Sequence, residues 1–464
     1  MAQPVVEFAY SFPVASRLEG QADRTLALAT AETSGTDPVL FRGQVREPIA
    51  FAEALLTVGA VARARFSVPP AMLGKILLLA DPVVTAADDR LRFEAFSSCA
   101  SAYGRLDLLP GSVDGVFYGS GTTNVDLGAD VRAALAGVTA DARLDLEVGQ
   151  ERLAVEVDGA RHDERRVDLP DRWVRGFSET QAIMAGMTRR FEADGAAFRR
   201  FLRALPKGAK HAIHVTAPGG ELAIGHRPAE GAVPVLVADR LRLLERLARW
   251  TTGVEVYADD VGASAWILTL PGSRFTLAIS TEAWRGFSGE GQLLESLAMP
   301  EDRRIQARVA TAIAWRSTVT ATSLAGELEV GRDVVEAALA SLAVGGQVGF
   351  DIADGTYFVR HLPFVHAGSD RRQPRLRKAH DLLDAGAVRL ESRTEEPGGI
   401  VGWVTGRSSE YRVRIGPGGR ACTCPWWGRH PGDRGPCAHM LAVQLAASAG
   451  REGRAEPERE AALP

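Results

Sequence analysis

Between residues 410 and 415, EYRVRI, every second side chain is apolar. Tyr411, Val413 and Ile415 fall on one face, and Glu410, Arg412 and Arg414 on the other, the pattern of a half-buried strand. GPGG at 416–419 is a turn, and the chain resumes extended from Arg420 to Pro425. After Gly435 and Pro436 the run CAHMLAVQLAA has helical spacing, and proline suits a helix start. Period two also runs through residues 142–169, ARLDLEVGQERLAVEVDGARHDERRVDL, which reads as three strands turning at Gly149-Gln150 and Asp158-Gly159. Amphipathic helices are expected around Phe191–Leu205 and Leu241–Trp250. The stretches LPDRWVRGFS (169–178) and ISTEAWRGFS (279–288) align without gaps, and LGADVRAAL (127–135) is a weaker third copy. Each is expected to follow a strand and open a helix, as one duplicated unit whose Trp and Arg-Gly-Phe positions pack helices.

From residue 301 the order is more regular. EDRRIQARVATAIAW, TSLAGELEVG and RDVVEAALASLAVGG read as three helices, and QVGFDIADGTYFVRHL as a hairpin around Asp354-Gly355. Helix, helix, helix, hairpin is the order of a winged helix, whose third helix usually reads DNA. Here that helix opens with Arg332, Asp333, Val334, Val335 and Glu336, and residues 303–362 hold six Arg against six Asp or Glu. A phosphate-binding face needs a positive excess, so a protein-contacting or purely structural role is expected. The fold class is therefore α+β and multi-domain: a large α+β region at 1–300, a winged-helix-like segment at 301–362, and a polar linker at 363–378. A metal-binding module at 379–450 and a disordered tail at 451–464 complete the layout.

Chemistry enters with the sulfur. Of four cysteines, Cys422, Cys424 and Cys437 lie together in ACTCPWWGRHPGDRGPCAHM, with His439 two residues after the third. In an extended segment Cys422 and Cys424 share a face, while Cys437 and His439 sit at a helix start, where the dipole favours a thiolate. Three thiolates and an imidazole are a usual tetrahedral zinc set. Four protein ligands leave no open position for water, so the ion is structural. His430 in the loop could replace His439. A Cys422–Cys437 disulfide is the rival reading. It leaves Cys424 unpaired and fits poorly with a start, MAQPVVEFAYSF, that lacks the basic region of a secretory signal.

The pattern C-x-C, spacer, C-x-H after a hairpin and running into an apolar helix resembles the SWIM zinc finger. It rests on EYRVRI, CTCP and GPCAHMLAV, and covers about 380–447. The resemblance implies that Cys422, Cys424, Cys437 and His439 hold one zinc ion, and that the module binds DNA or protein. The segments CASAYGRLDLLPGSVDG, GTTNVDL and DLPDRWVRGFSETQ are similar to a bacterial family of SWIM-containing proteins. That similarity implies partnership with MoxR-type AAA+ ATPases and VWA-domain proteins.

No catalytic constellation is found. A phosphate loop, H-E-x-x-H and G-x-S-x-G are all lacking. GSGTTN (119–124) lacks the third glycine and lysine of a glycine loop, and reads as a turn. His211 and His214 are expected on opposite faces of a strand, and Cys99 as a small buried residue. A non-enzymatic protein-interaction adaptor is the first expectation for function. The second is a DNA- or RNA-binding protein using Trp426, Trp427, Arg429 and Arg434 as contacts. Residues 371–464 carry a net charge of +5, leaving −9 for residues 1–370, so the basic footprint is mild. Fifty arginines against four lysines suit a GC-rich bacterial coding sequence. The apolar run AMLGKILLLADPVV is broken by Lys75 and Asp81, so no membrane span is expected, and the expected location is the cytoplasm.

Overall fold

The structure is a computed structural model. It describes residues 17–19, 25–27, 39–66, 82–87, 89–167, 171–208, 211–282, 286–287, 303–314, 316, 318–344, 346–360, 374–391, 399–406, 409–416, 419–430 and 435–455. Two compact units result. The first comprises Met1–Pro170, Met187–Arg285 and Val359–Pro363, and the second Asp171–Gly186, Gly286–Phe358 and Phe364–Pro464. Among the described residues no helix is long and apolar enough to cross a membrane.

The first unit is built on sheets of five and eight strands. The three strands read at 142–169 are present as Leu144–Gly149, Arg152–Val157 and Ala160–Arg165, consecutive and antiparallel. Asp158 and Gly159 both take positive φ, as a two-residue hairpin turn with the strands' own twist requires. The first turn lies one residue later than expected, on Gln150 and Glu151. In the same sheet Gly43 faces Gly115 so closely that a Cβ on Gly43 would stand 2.5 Å from the Gly115 Cα.

The eight-stranded sheet has a dry apolar face and a charged one. The Pro48–Arg63 helix covers the apolar face, with Phe51 edge-on to Phe93 at 5.7 Å. On the other face, pairing sets Arg92 opposite Asp107 and Glu94 opposite Arg105, and all four are buried. Asp107 is ion-paired with Arg92 at 3.0 Å and accepts from Arg105 at 2.8 Å, while Glu94 accepts from both Tyr103 and Arg360. Burial and then the Glu94 charge push the Tyr103 hydroxyl well above its ordinary pKa.

Several expected elements differ. Residues 191–194, expected to be helical, belong to the strand Thr188–Asp194, and the helix is Gly195–Ala204, capped by Asp194. The helix expected at 241–250 is a 3-10 helix, Ala238–Leu247. Its buried apolar residues Ala238, Leu241, Leu244 and Leu247 recur every third position, the period of 3-10 winding. Gly121–Asn124, expected to lie in a turn, is an edge strand of the eight-stranded sheet. Cys99 is buried beside Ser97 and Ser101. His214 lies in the strand Ile213–Thr216, and His211 precedes it.

In the second unit the helix Asp171–Ala185 holds the first copy of the echoed stretch, with Trp173 and Phe177 buried and edge-on to each other. The third copy opens the helix Ala129–Ala136; the second starts at the end of the strand Ser273–Ile279, and its residues 283–285 and 288 lie outside the described residues. From 303 the order is helix Arg303–Ile313, strand Thr318–Val319, helices Ala321–Leu328 and Arg332–Val344, and strands Val348–Asp351 and Thr356–Val359. Thr320 and Ser323 form a capping box at the start of the second of these helices. Helix Pro374–Asp384 begins inside the stretch expected as a linker. The last helix, Ala438–Ala455, runs five residues into the expected tail, and residues 456–464 lie outside the described residues.

Candidate metal centre

Four antiparallel strands, Val388–Leu390, Ile400–Thr405, Glu410–Gly416 and Gly419–Cys422, form the sheet beneath the site. Alternation in Glu410–Gly416 turns Val413 inward and leaves Glu410, Arg412 and Arg414 exposed. Val413 pairs with Cys422, so the inward face of one strand fixes the direction of the cysteine on the next. Helix Ala438–Ala455 lies across this face, and Leu376, Ala379, Leu441 and Ala442 pack it against helix Pro374–Asp384.

Each ligating group sits at the end of an element. Cys422 closes the strand Gly419–Cys422. Cys424 caps the short helix Pro425–Arg429, its sulfur accepting the Trp427 N–H at 3.4 Å. Cys437 precedes the helix Ala438–Ala455, where its carbonyl accepts the Leu441 N–H, and His439 lies in that helix's first turn. The ligand atoms of Cys422, Cys424, Cys437 and His439 all lie within 4.8 Å of one another, and all four residues are buried.

These four residues fit a zinc ion. A tetrahedron with Zn–S bonds of about 2.3 Å has edges of roughly 3.7 Å. The Cys422 Sγ to His439 Nδ1 distance is 3.8 Å. The thiols also polarise one another. Hydrogen bonds from Cys422 and then Cys437 hold Cys424 well below the usual thiol range, against burial. The Cys424 contact, followed by Cys437 and burial, drives Cys422 up. Cys437 is pushed up to about 11, the Cys422 contact drawing it down while Cys424 and burial raise it. A cation at the centre of the four groups would favour the thiolate form of all three cysteines.

Tyr411 stacks on the His439 ring at 4.6 Å and sets its plane. His430 lies outside the cluster, tilted against Trp426 at 5.2 Å. Trp427 packs in the core with the three cysteines, Val404, Val413, Met440 and Val443. Trp426 is half-buried beneath the Arg375 guanidinium, 4.7 Å from the ring centre, and Arg375 also donates to the Pro436 carbonyl. Arg429 is exposed and donates to the Pro425 carbonyl, and Arg434 lies outside the described residues. Trp403, which sequence reasoning missed, is half-exposed on the outer face of the sheet. Arg389 and Arg412 lie over its ring, and its Nε1 donates to Glu391 at 2.6 Å.

The family model of the SWIM zinc finger matches residues 411–447. The chain carries a zinc-binding SWIM finger. The match spans the hairpin, all four ligands and the start of the last helix. No curated protein matches the chain. Among solved structures, a PCNA2–PCNA3 complex from Sulfolobus tokodaii is 13% identical, covering 52% of this chain and 99% of that one with a TM-score of 0.37. Proliferating Cellular Nuclear Antigen from Entamoeba histolytica is 8% identical, covering 52% and 98% with a TM-score of 0.36. Likenesses at this level carry no argument about this chain.

Proposed function

We propose that the protein is a non-enzymatic adaptor whose SWIM finger, held by one structural zinc ion, docks on another protein. The observation that carries this reading is the direction of the two loop tryptophans. Base stacking needs an open ring face. Trp427 belongs to the metal core, and the Trp426 ring is covered by Arg375. The segment 303–359 is read as a winged helix, supported by its element order and by a small sheet in which Thr356–Val359 lies between the other two strands. On its third helix Arg332 is paired with Glu336 at 2.7 Å, while Val334 is exposed, which suits a protein contact better than a phosphate. The resemblance of the N-terminal segments suggests a MoxR-type AAA+ ATPase or a VWA-domain protein as partner, in a cytoplasmic setting.

One feature favours nucleic acid instead: Trp403 lies between Arg389 and Arg412 on the finger's outer face. Two measurements on the full chain separate the readings. The first is binding to a purified MoxR-type ATPase with and without Cys424→Ser. The second is a gel-shift series with single- and double-stranded DNA and RNA at two salt concentrations. The adaptor reading expects zinc-dependent protein binding and weak, salt-sensitive nucleic-acid binding. Tight nucleic-acid binding at physiological salt that is lost in Trp403→Ala overturns it.

A further inference from the structure

A cleft in the first unit gathers five arginines. Arg199 and Arg203 come from the Gly195–Ala204 helix, and Arg242, Arg246 and Arg249 from the 3-10 helix Ala238–Leu247 and the turn after it. Glu245 is the only carboxylate among the lining residues, and the cleft holds about 310 Å³. The convergence follows from helix geometry. Arg199 and Arg203 are four apart and share a face of an α-helix. In 3-10 winding residues three apart eclipse, so the leucines that turn inward at every third position leave Arg242 and Arg246 outward, on the cleft side, while Arg240 is buried.

The charges are only partly answered. Glu53 accepts from Arg246 at 2.8 Å and Arg249 at 2.7 Å. Arg242 lies between Asp239, at 3.3 Å, and Glu245. Arg199 donates to the backbone carbonyls of Ala248 and Thr251, with the cap Asp194 in its neighbourhood. Arg203 is exposed and has no ion-pair partner among the described residues. Arg199 and Arg203 thus face the cleft without a paired carboxylate.

We propose that this cleft binds a compact anion carrying at least two phosphate groups, as free diphosphate or as the diphosphate of a nucleotide. Guanidinium forks match phosphate oxygens two at a time, and several converge here on one volume. That volume lies at the lower end for small-ligand sites. An extended nucleic-acid backbone suits the cleft less well. It needs a continuous basic stripe, whereas Glu53, Asp239 and Glu245 interrupt this one. The site lies in the first unit, and the zinc finger in the second.

The test is calorimetric titration of the full chain with pyrophosphate and with ADP, with sulfate at matched ionic strength as the comparison. One-site binding of pyrophosphate, tighter than sulfate, is expected. Arg203→Ala should weaken it about tenfold or more, the loss of one charged hydrogen-bonding partner. Glu245→Gln should strengthen it. Arg200→Ala should leave it unchanged, because Arg200 is on the same helix but lies outside the cleft, paired to Glu221. Equal affinities for the two probes assign the site to the diphosphate group alone, and tighter ADP binding assigns it to a nucleotide; both support the proposal. It is overturned if pyrophosphate does not bind saturably, or if Arg203→Ala binds as the parent does. Arg203-dependent binding of a 20-base-pair DNA duplex by a chain that ignores pyrophosphate also overturns it.

Discussion

Gly402→Ala tests whether the finger's sheet and helix act as one clamp on the metal. Gly402 is buried in the strand Ile400–Thr405, beneath the helix Ala438–Ala455. A Cβ there would lie 2.9 and 3.1 Å from the two Val443 methyl carbons and 3.2 Å from the Arg389 carbonyl oxygen. Carbon atoms pack best at about 3.5–4.0 Å, so strand and helix must part by roughly 0.5–1 Å. The strand cannot yield alone, because the Arg389 carbonyl belongs to its neighbour in the sheet. Such overpacking costs about 1–3 kcal/mol. Cys422 is carried by the sheet, and His439 by the helix, so the same strain opens the ligand set. Because zinc binding and finger folding are linked, the cost should appear as zinc affinity weakened about 5- to 150-fold. Competition against a chromophoric chelator measures it. Adding Val443→Ala removes both offending methyls and should restore most of the loss, which a double-mutant cycle reads as coupling. Gly402→Ala within twofold of the parent, or a double variant no better than the single, refutes the reasoning.

Three further outcomes follow from the same geometry. Purified protein should hold one zinc per chain by mass spectrometry under native conditions, and Cys424→Ser should lose it and expose residues 399–455 to protease while the first unit stays resistant; a metal-free parent after gentle purification contradicts the zinc assignment. His439→Ala should release zinc far more readily than His430→Ala, and the reverse order would make the loop histidine a ligand. Glu94→Leu removes the carboxylate shared by Tyr103 and Arg360 and should destabilise the first unit by about 3–5 kcal/mol, with Arg360→Met recovering part of it; an unchanged thermal transition sinks that account.

The finger was legible because its signals are local and chemically rare. Cysteine and histidine spacing, the alternation of EYRVRI and the Gly435-Pro436 helix start all lie within one short window, and the structure brings those ligands together. Other elements hid for identifiable reasons. Thr188–Asp194 is an edge strand with no residue fully buried, so period two leaves no hydrophobic trace in TRRFEAD. The 3-10 winding of Ala238–Leu247 leaves no mark in the sequence, because leucines three apart fit α and 3-10 windings alike over ten residues. The buried face of Arg92, Glu94, Arg105 and Asp107 looks like an ordinary wet strand face, since charge alone does not reveal burial. The arginine cleft joins segments forty residues apart, and no local pattern announces it.

The spacing of the ligands has a further consequence. Cys424 and Cys437 have twelve residues between them in sequence yet converge on one point, so a metal there ties the intervening chain into a ring. The entropy of closing a ring grows only as the logarithm of its length, and doubling the length costs about 0.6 kcal/mol. That is small beside the roughly 10 kcal/mol of a structural zinc site. The sequence between His430 and Gly435 can therefore be lengthened, or replaced by a peptide tag, with the ends still held by the same four groups. Lengthening that arc should therefore leave zinc affinity nearly unchanged, whereas a residue inserted between Cys422 and Cys424, or between Cys437 and His439, should not.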